Sequence, residues 1–98
     1  MNFECFEKGS ELVIALNGRL DTTTAPRLEA ELKERLDGVE KLVFDFSGLS
    51  YISSAGLRVM LSAHKIMSRQ GTMSITHVGD VIMEIFEVTG FTEILNIE

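Results

Sequence analysis

The period of the hydrophobic pattern changes repeatedly along this chain, from strand-like runs to helical spacing and back, and that alternation restricts the fold more than any other feature. Phe3 to Lys8 and Leu12 to Leu20 are short, partly alternating apolar runs separated by the small-residue turn signal Gly9-Ser10. They predict an antiparallel β-hairpin. Beyond Asp21-Thr22-Thr23-Thr24 the apolar residues Ala25, Leu28, Leu32 and Leu36 recur at helical spacing, with charges on the opposite face. That is the pattern of an amphipathic helix. Thr24 or Ala25 supplies its N-cap, and Gly38 ends it. Pro26 is tolerated because first-turn N–H groups have no intrahelical acceptor.

Lys41 to Phe46 is too short for a helix and apolar enough to be a central strand, and Ser47 to Ser53 reads as a loop after it. From Ser54 or Ala55 to about Arg69 the residues Leu57, Met60, Leu61, His64 and Met67 recur at three and four, with Val59, Ala63 and Ile66 widening the stripe. A largely covered helix follows from that spacing, stopped by Gly71. Thr72 to His77 alternates as another strand, and Val81 to Val88 is a short helix. Gly90 sits where a left-handed closing residue belongs, and Phe91 can fold back on Phe86. Ile94 to Ile97 either adds a short strand or frays. The predicted order is β-β-α-β-α-β-α, an α/β domain with a small mixed β-sheet and helices packed on it. Its two βαβ units each demand a right-handed crossover. No repeat, linker or low-complexity stretch divides the chain, so residues 1–98 read as a single domain, large enough to bury about two thirds of its unfolded surface.

Nine basic against fifteen acidic side chains give a net charge of -6. That opposes the counterion release behind nucleic-acid binding, so neither nucleic acid nor an anionic membrane surface is an expected partner. The start Met1-Asn2-Phe3-Glu4 has no basic region, and the early apolar run Leu12 to Leu16 is too short for a signal-peptide core or a spanning helix. With one cysteine, Cys5, no internal disulfide can form, and a reducing cytoplasmic compartment is expected. Cys5 itself reads as a small buried hydrophobe.

Cofactor and catalytic motifs are mostly absent. There is no G-x-G-x-x-G, Walker loop, C-x-x-C or H-E-x-x-H, and the soft ligands Cys5, His64 and His77 lie on different predicted elements. No cofactor or metal site is expected. Ser53-Ser54-Ala55-Gly56 at a strand-to-helix junction is similar to a nucleophile elbow, but Ile52 stands where that motif needs glycine and nothing orients a base. The chain is therefore not read as an enzyme. Electrostatically the same serines mean more, because the first turn of a helix offers unsatisfied N–H groups and a positive dipole end to an anion. Ser54 is a good place for a phosphate, or it is only an N-cap worth about 1 kcal/mol.

The stretch Asp45-Phe46-Ser47-Gly48-Leu49-Ser50-Tyr51-Ile52-Ser53-Ser54-Ala55-Gly56-Leu57-Arg58 resembles the central motif of the anti-sigma-factor antagonists built on the STAS domain. In that motif a strand ending in an acidic residue, then a loop, precede an acceptor serine, a small residue, glycine and leucine opening a helix. Asn17-Gly18-Arg19-Leu20-Asp21 resembles the family's G-x-L-D turn, and Phe86 through Gly90-Phe91 to Ile94 its closing helix. The resemblance covers essentially the whole chain and implies a STAS-type fold.

In function it implies a switch. The unphosphorylated protein binds an anti-sigma factor, usually a serine protein kinase, and frees a sigma factor; phosphorylation breaks the complex and a serine phosphatase restores it. Carried onto this chain, the acceptor is Ser54. Many members carry Asp just before the acceptor, where this chain has Ser53, so Ser53 is a rival acceptor. Asp21 matches a partner-contacting acidic position and is equally a plain turn residue. The expected partner-binding region comprises Asp21, Ile52, Ser53, Ser54, Gly56, Leu57 and Arg58, with the exposed edge of Met60. Arg58, one turn after Ser54, is placed to reach back to a phosphate, or is an ordinary exposed helix residue. A monomer or weak dimer is expected. The alternative is a STAS subunit serving a transporter ATPase or another signalling assembly without phosphorylation.

Overall fold

The computed structural model describes residues 2–98. Strands β1 (Asn2–Lys8) and β2 (Glu11–Leu20) form the predicted hairpin, closing at Lys8 opposite Glu11 through Gly9, whose φ of 61° suits glycine. Helix α1 (Ala25–Arg35), strand β3 (Lys41–Ile52), helix α2 (Ser54–Met67), strand β4 (Thr72–Thr76) and helix α3 (Asp80–Thr89) follow. The sheet order is β1-β2-β3-β4, with β2 parallel to β3 and β3 parallel to β4, so both predicted βαβ units are present.

Alternation decides which face is covered. Leu12, Ile14 and Leu16 of β2, Leu42, Phe44 and Phe46 of β3, and Met73 and Ile75 of β4 point to one side and are buried. The helices meet them with Leu28 and Leu32 from α1, Val59, Met60, Ala63 and Met67 from α2, and Ile82 and Phe86 from α3. Phe46 lies 6.2 Å from Phe86 between ring centroids, which ties α3 to β3. The other face carries Glu4, Phe6, Val13, Ala15, Val43, Asp45 and Thr76, all half-buried or exposed.

Four expectations change. Ser47 to Ser53 is not a loop: β3 continues to Ile52, because β2 is long enough to pair with it, Asn17 to Gly48 and Leu20 to Ile52. Two register shifts, between Ala15 and Asn17 and between Gly18 and Arg19, absorb the irregularity of the Ser-Gly stretch, while Leu49 and Ile52 supply buried anchors. Helix α2 ends at Met67 rather than Arg69; Gly71 N–H bonds the Met67 carbonyl at 2.7 Å as the turn leaves the helix. His77 falls outside β4 with a φ of 57°, so the strand stops at Thr76. Cys5 is half-buried and not enclosed, with burial pushing its thiol pKa up.

The chain end forms a short strand-like contact. After a 3-10 turn at Phe91–Glu93, Ile97 bridges Ile75 in parallel, and Ile75 N–H donates to the Asn96 carbonyl at 2.9 Å. Gly90 takes the predicted left-handed conformation, φ 82°, and lets Phe91 stack on Phe86 at 6.3 Å.

Candidate functional site

Strand β4 stops opposite Asp45, whereas β2 and β3 run on together to Leu20 and Ile52. The loop after β2 and the start of α2 therefore meet at the far end of this two-stranded extension. Ser53 N–H donates to the Leu20 carbonyl at 2.9 Å, fastening the two chain segments there.

Asp21 organises the loop. Its Oδ1 accepts from Thr23 N–H at 3.0 Å, Thr23 Oγ1 at 2.8 Å and Thr24 N–H at 3.2 Å, while its own N–H donates to Thr24 Oγ1 at 2.9 Å. These hydrogen bonds, led by the one from the Thr23 hydroxyl, pull the Asp21 pKa down to about 2. Oδ2 faces Arg19 Nε at 3.7 Å, and the Arg19 guanidinium lies 4.3 Å from the Tyr51 ring centroid across the β2–β3 pair. The carboxylate is thus a fixed anion on a rigid turn. Thr24 is the N-cap of α1, with its hydroxyl turned to the Arg19 carbonyl at 2.8 Å instead of to the helix.

At the start of α2, Ser53 and Ser54 divide the roles differently from their sequence expectation. Ser53 is the N-cap, in extended conformation, and Ser54 is the first helical residue. The Ser53 side chain makes no capping bond; its Oγ is buried and has no partner. Ser54 is exposed. Arg58, one turn further, is exposed and lines a groove of about 330 Å³ between α1 and α2 with Thr22, Ala25, Pro26, Glu29, Ala55 and Val59. Among the described residues Arg58 makes no ion pair.

The apolar part of the expected partner surface is corrected. Ile52 (2% exposed), Leu57 (8%) and Met60 (0%) are core residues, and Gly56 is buried with them. A Cβ on Gly56 would stand 2.7 Å from Ile52 Cγ1 and 2.8 Å from Leu20 Cγ, so the glycine lets the first turn of α2 close onto the ends of β2 and β3. That closure buries the apolar positions and turns Ser54 and Arg58 outward. Arg58 shares its groove with Thr22, Pro26, Glu29 and Ala55, which sequence reading did not offer as site residues; their only signal is lying in or near the first turns of α1 and α2.

The remaining polar groups lie elsewhere. His77 Nδ1 is 3.3 Å from Asp45 Oδ1 on the open sheet face, and the Asp45 pKa is held low chiefly by the Ser47 N–H at 2.9 Å, with His77 adding to it. No group of three or more His, Cys, Asp or Glu among the described residues could hold a metal ion, and none of their helices is long and apolar enough to cross a membrane.

Comparison with known proteins agrees with this architecture along its length. Residues 2–98 match the profile of the STAS domain. A Bordetella bronchiseptica protein named for anti-sigma factor antagonism, BtrV, is 39% identical over 85 residues, covering 85% of this chain and 73% of that one. The crystal structure of an anti-sigma factor antagonist from Mycobacterium paratuberculosis superposes with a TM-score of 0.88 at 20% identity, covering 98% and 83% of the two chains. The Bacillus cell fate determinant SpoIIAA in its phosphorylated form superposes with a TM-score of 0.78 at 18% identity, covering 99% and 91%. The chain belongs to the STAS domain family, on the branch of the anti-sigma-factor antagonists.

Proposed function

We propose that this chain is an anti-sigma-factor antagonist whose binding is switched off by phosphorylation of Ser54. The observation that carries the choice of residue is the contrast at the start of α2: Ser54 is exposed on the first helical turn, whereas the Ser53 hydroxyl is buried. A kinase can reach only the first without opening the fold.

In this reading the unphosphorylated chain binds an anti-sigma factor that is also a serine protein kinase, in the cytoplasm, and so releases a sigma factor. The docking face is the rigid Asp21 loop, the exposed edge of the α1–α2 groove, Ser54 and Arg58. Ser53, Ile52, Gly56 and Leu57 hold that face from beneath. The kinase transfers the γ-phosphoryl group of its ATP to Ser54 Oγ, ADP leaves and the hydroxyl proton is lost. The product carries about -1.5 to -2 charge at neutral pH, added where the interface would be desolvated. Charge repulsion and lost burial of a few kcal/mol weaken the complex by about tenfold for every 1.4 kcal/mol. A serine phosphatase hydrolyses the phosphoester and restores binding. Arg58 lies one turn further along α2 and steadies the phosphorylated monomer. The chain itself catalyses nothing in this cycle.

The test is purification of the cellular partner on tagged wild type, Ser54→Ala and Ser54→Asp, with intact-mass analysis of the bait. A kinase-like anti-sigma factor retained by the first two and lost by the third, with phosphate on Ser54 of the wild type, is the expected result. Capture of one transporter or scaffold protein by all three baits, with no phosphate, would replace this reading by that of a STAS subunit for another assembly.

A further inference from the structure

Helix α3 is built with one face too many. Ile82 and Phe86 are buried and attach it to the sheet, yet Val81 (64% exposed) and Val88 (81%) stand in solvent two turns apart, with half-buried Ile85 between them. Of the four large apolar side chains exposed among the described residues, two belong to this single stripe. Together with Glu84 and Thr89 they line a shallow groove of about 270 Å³. The spacing i, i+4, i+7 is that of a helix presenting a second apolar seam.

Charge says what could cover it. From Val78 to the chain end there are five acidic residues, Asp80, Glu84, Glu87, Glu93 and Glu98, and no Lys or Arg, so this segment supplies -5 of the net -6. Asp80, Glu84, Glu87 and Glu93 are exposed and make no ion pair or side-chain hydrogen bond among the described residues. Glu87 stands in the last turn of α3, where no basic residue offsets it and where the helix dipole disfavours an anion. A second copy would bring the same acidic frame against itself. An anionic lipid surface meets the same objection.

We propose that the outer face of α3 is a docking surface for a basic amphipathic helix of a partner protein, whose apolar residues cover Val81, Ile85 and Val88 while its Lys and Arg residues pair with Glu84, Glu87 and the flanking carboxylates. Helix-on-helix packing of this kind needs only one matching stripe and sets its specificity by the flanking charges. None of these residues lines the α1–α2 groove beside Ser54, so the surface stands whether or not Ser54 is a phosphoacceptor.

The probe is an amidated Leu/Lys peptide of about 18 residues with Leu at helical spacing, beside a Leu/Glu counterpart, each titrated into the full 15N-labelled chain. The Leu/Lys peptide is expected to shift the amides of α3 saturably and to weaken as salt rises from about 50 to 300 mM. The exposed-site variant Val81→Glu/Val88→Glu should bind about tenfold more weakly, and Glu84→Lys/Glu87→Lys should reverse the preference between the two peptides. Shifts centred on the open sheet face or on Ser54, or no saturable binding, would overturn the proposal. So would a dimer in sedimentation equilibrium that Val88→Glu abolishes.

Discussion

Replacing Gly56 with alanine tests the packing that holds the site in place. The new Cβ would meet Ile52 Cγ1 at 2.7 Å and Leu20 Cγ at 2.8 Å, and both side chains are 2% exposed or less. Neither can move into solvent, so α2 must lift or the two side chains must leave their rotamers. Overpacking of this kind costs about 1–3 kcal/mol. Alanine returns at most about 1 kcal/mol of helix propensity, and less in a first turn. The net loss is therefore about 1–2 kcal/mol, which in a domain of this size lowers Tm by roughly 4–16 °C. Urea unfolding should show a lower midpoint with an unchanged m-value. Gly79→Ala is the steric control: nothing lies within 4 Å of its Cβ position and its φ is -74°, so it should lose only the N-cap preference of glycine over alanine, about 0.5–1 kcal/mol. Equal or higher stability for Gly56→Ala would refute the reasoning, because the α2 start would then be shown to have room. Since Ser54 lies two residues before the substitution, the same variant should also slow its phosphorylation.

Three further outcomes follow from the site. Ser53→Ala removes a buried hydroxyl with no partner and should leave stability unchanged or raise it by up to about 1 kcal/mol; a loss beyond that in thermal unfolding would mean the hydroxyl is bonded. Arg58→Ala should slow phosphate transfer to Ser54 while leaving partner binding by the unmodified chain intact, and identical phosphorylation kinetics would remove Arg58 from the switch. Asp21 has a folded pKa of about 2 against 3.8 for the free group. Its stabilising contribution is present above pH 4 and lost as pH falls through the interval down to about 2. Asp21→Asn keeps an acceptor for the turn but cannot titrate there, so its stability should fall less steeply over that interval; parallel acid-unfolding curves would contradict the assignment.

Much of this fold was legible because secondary structure follows local periodicity. The two-residue alternation of β1 and β2, the helical spacing of Leu28 and Leu32, and the glycine at position 90 each report a backbone preference carried by neighbouring residues. The position of Ser53 and Ser54 at a strand-to-helix junction was readable for the same reason, as was the acidic turn at Asp21.

What only the tertiary structure decided depends on partners distant in the chain. Ser47 to Tyr51 is polar and glycine-bearing, which reads as loop; it is strand because β2 extends far enough to pair with it, and the bulges accept its irregular register. Ile52, Leu57 and Met60 lie beside the serines in sequence and could have faced outward. The close seat of Gly56 on Leu20 and Ile52 turns them into the core. That same rotation exposes Ser54 and buries the hydroxyl of Ser53, a difference between two identical side chains that no sequence pattern carries, because it is set by which way the first turn of α2 rests on the sheet. Composition and period thus determined the elements and their order, while long-range strand pairing and one close helix–strand contact determined which residues of the site meet solvent.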